Sequence, residues 1–299
     1  VPETLALSGP VCVVGLGLMG TAIAGRLLDA GCDVRVWNRS RARADPLLAR
    51  GACWTDDPLG ECHLVVVSLY DGAAVRGVME PWLARSAPGR VVVDTSTVDP
   101  ATTESLAGVA RARGLAWLDA PISGSSVQTA RGEATVLIGG PAEDVAALGA
   151  LWEILGGRRH HVGPTGSASR MKLVTNLVLG LNRAALAEGL VLADVLGIDA
   201  QAALDVLRDS PAASRQMETK GPKMVAGDFS VQARLGQHLK DVDLILEAAA
   251  GAGVTLTLAT AHRALLDAAV AAGLGDLDNS AIIGAYRPPG PRHGGSHPT

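Results

Sequence analysis

Between Gly163 and Gly197 the chain reads GPTGSASRMKLVTNLVLGLNRAALAEGLVLADVLG, and no proline follows Pro164 in that stretch. About thirty residues at ~1.5 Å of rise each make a rod of roughly 45 Å, longer than one small domain needs. The stretch therefore reads as a helix joining two domains. Its apolar run from Leu173 to Ala193 is broken by Asn176, Asn182, Arg183 and Glu188, at intervals that would be costly in hydrocarbon. A buried soluble helix is expected, with no membrane partner. Lys172 and Asn176, four residues apart, put an ammonium and a carboxamide on one face. They are the candidate catalytic pair. Alone, K-x-x-x-N also describes an ordinary solvated helix face, so its meaning depends on the chain upstream.

Upstream, Val11 to Val14 is a short β-branched run that ends at Gly15, and GLGLMG (Gly15, Leu16, Gly17, Leu18, Met19, Gly20) opens the periodic segment TAIAGRLLDAG. This is strand, tight turn, helix. Gly15 permits the turn, Gly17 lets backbone approach a pyrophosphate, and Gly20 lets helix pack on strand. Amides at the helix start make an anion site. The second strand, Cys32 to Trp37, is followed by Asn38, Arg39, Ser40 and Arg41. An Asp or Glu there would accept from a ribose 2′-hydroxyl, whereas Asn, Arg and Ser can donate to a 2′-phosphate. NADP is therefore expected in preference to NAD. Ser40 as the cap of an arginine-rich helix start is compatible with that reading.

Apolar runs recur at His63 to Leu69, Arg90 to Asp94, Leu115 to Asp119 and Thr135 to Ile138. Near-continuous apolar strands with crossovers between them point to a parallel sheet covered on both faces. Ligands of such sheets lie beyond the strand C-termini. That draws attention to Ser68, Leu69, Thr95, Ser96, Thr97 and the loop after Asp119. In that loop Ser123 and Gly124 offer a hydroxyl and open backbone amides suited to a carboxylate. Beyond Gly197 the pattern turns helical: Ala200 to Asp209, Arg234 to Gly251 and Leu258 to Gly273, with turn clusters at Ser210 to Ala213 and Gly221 to Gly227.

Composition removes several function classes. The 299 residues carry a net charge of −4, 48% hydrophobic and 19% charged residues, which offers no basic footprint for nucleic acid. Cys12, Cys32, Cys53 and Cys62 form no C-x-x-C pair, and the histidines show no ligand spacing. Free thiols, no metal, no signal peptide and a cytoplasmic location are expected. The expected segments are 1–162, 163–197, 198–287 and a disordered tail at 288–299.

VVGLGLMG, VWNRS, VVVDTST, DAPISGS, GPTGSASRMKLVTN and HLKDVDL stand in this order along the chain. So ordered, the chain resembles the β-hydroxyacid dehydrogenase family, which includes 3-hydroxyisobutyrate dehydrogenase, tartronate semialdehyde reductase and, more distantly, 6-phosphogluconate dehydrogenase. The resemblance implies a Rossmann-type α/β domain, a long interdomain helix and an all-α C-terminal domain, assembled as a homodimer or homotetramer. It implies that Gly15, Gly17, Gly20 and Arg39 hold the cofactor, and that Asp94 to Thr97 lie near nicotinamide and substrate. Ser123 and Gly124 would grip a small-molecule carboxylate. Lys172 would be the general acid and base, Asn176 would position substrate, and Lys240 would close over cofactor or substrate. Ser125, Ala168 and Thr175 depart from the family pattern; the first two add a side chain where backbone is expected to approach ligand. A free lysine titrates near about 10.4, so base activity at neutral pH calls for burial or a nearby cation such as Lys240. Two rivals stay open at this level: an imine reductase of the same fold, and a non-catalytic NADP-binding scaffold.

Overall fold

One mixed sheet, most of its strands short apolar runs, is built from Val11–Val14 (β1), Val34–Trp37 (β2), Cys53–Trp54 (β3), Leu64–Val67 (β4), Val91–Asp94 (β5), Ala116–Asp119 (β6), Ile122–Ser123 (β7), Thr135–Gly139 (β8) and Arg158–Gly163 (β9). The computed structural model describes Leu7 and residues 9–286, and the tail expected at 288–299 lies outside the described residues. The strand order is β3-β2-β1-β4-β5-β6-β8-β7, with β9 paired to β8. From β3 through β6 every pairing is parallel, and β8 runs antiparallel to β6 and β7. This is the doubly wound order, with the reversal of winding between β1 and β4. The α/β fold class read from the sequence is borne out, and so is the all-helical half that follows.

Alternation along β1 explains why the sheet reads as unbroken apolar runs. Val11 and Val13 face one core, with Ile23 and Leu27 of the helix Leu18–Asp29. Cys12 and Val14 face the other, with Val75, Met79 and Leu83 of the helix Gly72–Arg85 and Leu106 of the helix Pro100–Ala112. Both faces are therefore covered. Asp71 and Asp99 cap those two crossover helices by accepting from Ala74 and Thr102 backbone N–H, each at 2.7 Å.

Three strands carry no clear signal in the sequence. β3 and β7 are two residues long, and β9 is RRHHVG with Arg158 to His161 exposed. Charge along this edge strand discourages pairing with another chain, and its register comes from β8 instead.

The chain divides into two compact units between Asn176 and Leu177, inside the long helix Ser167–Val195. In the second unit Ala200–Asp209, Leu235–Gly251 and Thr257–Ala271 form the expected helices. Gly221 to Gly227, expected as a separating turn, instead forms the helix Gly221–Ala226 with Pro222 in its first turn. Proline there removes an amide that the helix would leave unpaired anyway, and Gly227, at φ 66°, ends it. The core of this unit is aliphatic, built on Leu186, Leu190, Leu204, Leu235, Val242, Leu266 and Ile282. One buried ion pair crosses it: Lys220 Nζ lies 2.9 and 3.0 Å from the two oxygens of Asp278. Asp278 also accepts from the backbone of Gln232, Ala233 and Ser280 and from the Ser280 hydroxyl.

Candidate active site

At the C-terminal edge of the parallel strands, one loop is tied to the next. Gly15 N–H donates to Trp37 O at 2.9 Å, and Leu16 N–H donates to Asn38 Oδ1 at 2.9 Å. Leu69 N–H donates to Ser96 Oγ at 2.9 Å, and Ser96 N–H to Asp94 Oδ1 at 2.9 Å. Gly15, Leu16, Ser68, Leu69, Ser96 and Thr97 thus stand on one edge, as expected of a doubly wound sheet.

The three glycines of GLGLMG differ in what demands them. A Cβ on Gly15 would meet Ser68 O at 2.2 Å, and one on Gly20 would meet Gly15 O at 1.8 Å. Packing alone requires both. A Cβ on Gly17 would meet no protein atom within 4 Å, and Gly17 and Leu18 are exposed. The helix Leu18–Asp29 that begins there has no side-chain cap, which leaves its N-terminal end for the anion that a dinucleotide pyrophosphate would bring. Met19 is turned inward, with Thr129 Oγ1 at 3.8 Å from its sulfur. These residues fit a bound dinucleotide.

After β2, Asn38 is committed to the protein: its Oδ1 holds Leu16 N–H, and its Nδ2 donates to Ser40 O at 3.0 Å. It shapes the turn between the two loops. Arg39 and Ser40 are exposed, and Arg41 lies 5.1 Å over the Trp54 ring. No carboxylate follows the strand before Asp45.

A second cluster joins β6 to the start of the long helix. Lys172 is buried, 7% exposed, and its Nζ donates to Ile122 O at 2.8 Å. Ser123 and Gly124 come next in the chain, half-buried and exposed respectively. Asn176, 4% exposed, lies one turn beyond Lys172 on the same helical face. Asp119, the last residue of β6, accepts from Gly166 N–H at 2.8 Å and Ser169 N–H at 2.7 Å. Thr103 Oγ1 and Ser169 Oγ lie 3.1 Å apart, tying the helix Pro100–Ala112 to the same turn. Lys240 belongs to the second unit, where it pairs with Asp241 at 2.9 Å.

Two side chains expected to intrude on ligand are absorbed by the protein. Ser125 Oγ accepts from Gln128 N–H at 3.2 Å while Gln128 Oε1 accepts from Ser125 N–H at 2.9 Å, a reciprocal capping box on the helix Ser126–Ala130. Ala168 is fully buried. Asp119 is an anchor whose only signal in the sequence is an acidic residue ending an otherwise apolar strand.

Asp94 carries the clearest electrostatic perturbation. Burial and the charge of neighbouring Asp119 push it up to about 7, against the opposing effect of Ser96, and its Oδ2 has no hydrogen-bond partner among the described residues. A carboxyl whose folded value is raised favours the folded state at low pH and loses that contribution as pH rises through about 7. Asp94→Asn, which keeps the acceptor for Ser96, should therefore stabilise the protein at pH 8 by up to roughly 4 kcal/mol and give no gain near pH 4. Urea unfolding at both pH values checks this; equal effects at the two would contradict it.

Against this geometry, the family model for the NAD binding domain of 6-phosphogluconate dehydrogenase matches residues 10–163, and that for the NAD-binding of NADP-dependent 3-hydroxyisobutyrate dehydrogenase matches residues 166–286. The chain belongs to the β-hydroxyacid dehydrogenase family. As a member of this family of NAD(P)-dependent oxidoreductases, it is 30% identical to glyoxylate/succinic semialdehyde reductase 2, chloroplastic, of Arabidopsis thaliana, over 96% of this chain and 82% of that protein. The solved structure of Mycobacterium tuberculosis 3-hydroxyisobutyrate dehydrogenase with L-serine superposes with a TM-score of 0.85 at 27% identity, covering 94% of this β-hydroxyacid dehydrogenase and 100% of that chain. An imine reductase from Pseudomonas sp. superposes less closely, with a TM-score of 0.63 at 26% identity, covering 94% and 100%. The family resemblance carried by the ordered motifs is borne out.

Proposed function

We propose that this β-hydroxyacid dehydrogenase is an NADP(H)-dependent enzyme of the cytoplasm that interconverts a short 3-hydroxy carboxylate and its semialdehyde, with Lys172 as general acid and base. The observation that carries the reading is the buried Lys172 Nζ on Ile122 O, beside Ser123 and Gly124. A carboxylate held by the Ser123 hydroxyl and the Gly124 backbone would put its β-carbon within reach of a lysine fixed one residue away. When bound, a nicotinamide would supply the hydride acceptor in oxidation and the hydride donor in reduction. Lys172 takes the hydroxyl proton as the carbonyl forms and returns it in reduction, while Asn176 orients the hydroxyl through its carboxamide. Gly15, Leu16, Gly17, Leu18, Met19 and Gly20 would hold the dinucleotide, with Ser68, Leu69 and Thr97 beside it. Lys240 would close over cofactor or substrate.

Preference for NADP rests on Arg39 and Ser40, exposed after β2 where no carboxylate competes. Arg39→Asp should raise KM for NADP about 10- to 100-fold, the worth of one charged hydrogen bond, and leave KM for NAD little changed. Initial rates with each cofactor read it directly. Homodimer or homotetramer formation is supported by Met171, Val174 and Val178, which leave an exposed apolar stripe along the long helix. Unpaired Cys12, Cys32, Cys53 and Cys62 fit a reducing compartment.

A spectrophotometric screen tests the whole reading. NADP⁺ and NAD⁺ are offered with short 3-hydroxy acids, and NADPH with the matching semialdehydes, glyoxylate and a cyclic imine. Turnover of a hydroxy acid or semialdehyde supports it; turnover of the imine alone would replace it with imine reduction.

A further inference from the structure

We propose that Asp119 is the positioning residue for Lys172, clamping the first turn of the long helix to the end of β6 so that the lysine is delivered to Ile122 and the loop that follows. The proposal rests on the reading of Lys172 as acid and base. Asp119 is 1% exposed, and each of its oxygens is spent on a backbone amide of the helix start, Gly166 N–H at 2.8 Å and Ser169 N–H at 2.7 Å. A carboxylate at that end of a helix meets both unpaired donors and the positive pole of the dipole.

Room for this carboxylate is built in. Gly139 of β8 pairs with Asp119 across the sheet, and a Cβ there would lie 2.4 Å from Asp119 Oδ1. Three residues beyond Asp119 comes Ile122, whose carbonyl accepts from Lys172; three residues beyond Ser169 comes Lys172 itself. The strand end and the helix start are therefore joined twice over a span of three residues on each side. A lysine stem is flexible, and a fixed backbone at Ser169 removes most of the freedom with which its amine could miss the target. Thr103 holds Ser169 from the other side at 3.1 Å. In register beside Asp119 stands Asp94, the carboxyl whose second oxygen has no partner among the described residues. Its companion is thus the one bonded to the helix.

The chain has four lysines, Lys172, Lys220, Lys223 and Lys240, so the side-chain Cε resonances of ¹³C-lysine-labelled protein report on Lys172 with Lys220 and Lys223 as two internal controls. Lys172→Arg assigns its signal. In Asp119→Asn the Lys172 resonance and its titration should move while those of Lys220 and Lys223 stay in place. NADPH affinity should hold within twofold, and kcat per NADPH-binding site should fall about 10- to 100-fold. A Lys172 signal that does not move, or movement of all four alike, overturns the proposal. Should Asp119→Asn fail to fold, Gly139→Ala displaces the same carboxylate without removing it and should move the same signal. The two readings fail separately: turnover retained in Lys172→Arg would sink the acid and base role, whereas an unmoved Lys172 in the Asp119 variant sinks only the positioning.

Discussion

Lys172→Ala should lower kcat in either direction by about 10²- to 10⁴-fold, the range that a positioned general acid or base contributes, while NADPH binding stays within a few-fold. The two halves of this expectation come from separate pieces of the fold. The dinucleotide edge is held by the Gly15, Leu16 and Leu69 amide bonds, none of which involves Lys172. The amine sits instead on Ile122 O at 2.8 Å, with 7% of the residue exposed. On the proposed reading, removing it takes away the proton donor for the carbinol oxygen together with the bond to Ile122 O, and touches none of the dinucleotide-edge bonds. Fluorescence titration with NADPH, set beside steady-state rates, separates the two. Loss of both together would mean that the residue holds the fold or the cofactor rather than the proton.

Lys220→Met should cost the helical unit about 3–5 kcal/mol, the usual consequence of leaving a buried charge without its partner. Burial alone would push Asp278 up; the Lys220 ammonium beside it and the backbone amides of Gln232 and Ser280 hold it below the usual carboxylate range. Asp278 is fully buried and Lys220 is 5% exposed, so water cannot take over when the ammonium goes. The pair Arg85 and Asp57, at 3.4 Å with side chains half exposed, gives the contrast: breaking it should cost no more than about 1 kcal/mol. Urea unfolding followed by far-UV circular dichroism measures both. Restoring part of the loss with a second change, Asp278→Asn, would locate the cost in the stranded charge.

Much of this was readable beforehand, and what was not has physical reasons. β1, β4, β5 and β6 announced themselves because strands buried on both faces have no polar alternation to blur them. β9 did not, since Arg158 to His161 are exposed and take their conformation from β8. The helix at Gly221–Ala226 was hidden because Gly and Pro at a helix start look like a turn until the cap is seen. Lys172 and Asn176 could be picked out by spacing and family likeness, but no local pattern says that the lysine bonds Ile122, fifty residues away in sequence. Asn38 illustrates the same gap: its residue type fits phosphate recognition, and the fold spends both ends of its carboxamide on the turn. Ser125 likewise looked like an intrusion and is a helix cap.

Hydride transfer between NADP(H) and the carbinol carbon of a short 3-hydroxy carboxylate is tested most directly by mass spectrometry of the cofactor after incubation of the enzyme and NADP⁺ with 3-hydroxyisobutyrate deuterated at that carbon, with the corresponding deuterated 3-hydroxypropionate alongside. One deuterium is expected in the reduced cofactor, with the semialdehyde as the other product. Unlabelled NADPH, or no reduced cofactor from either acid while a cyclic imine consumes NADPH, would contradict it.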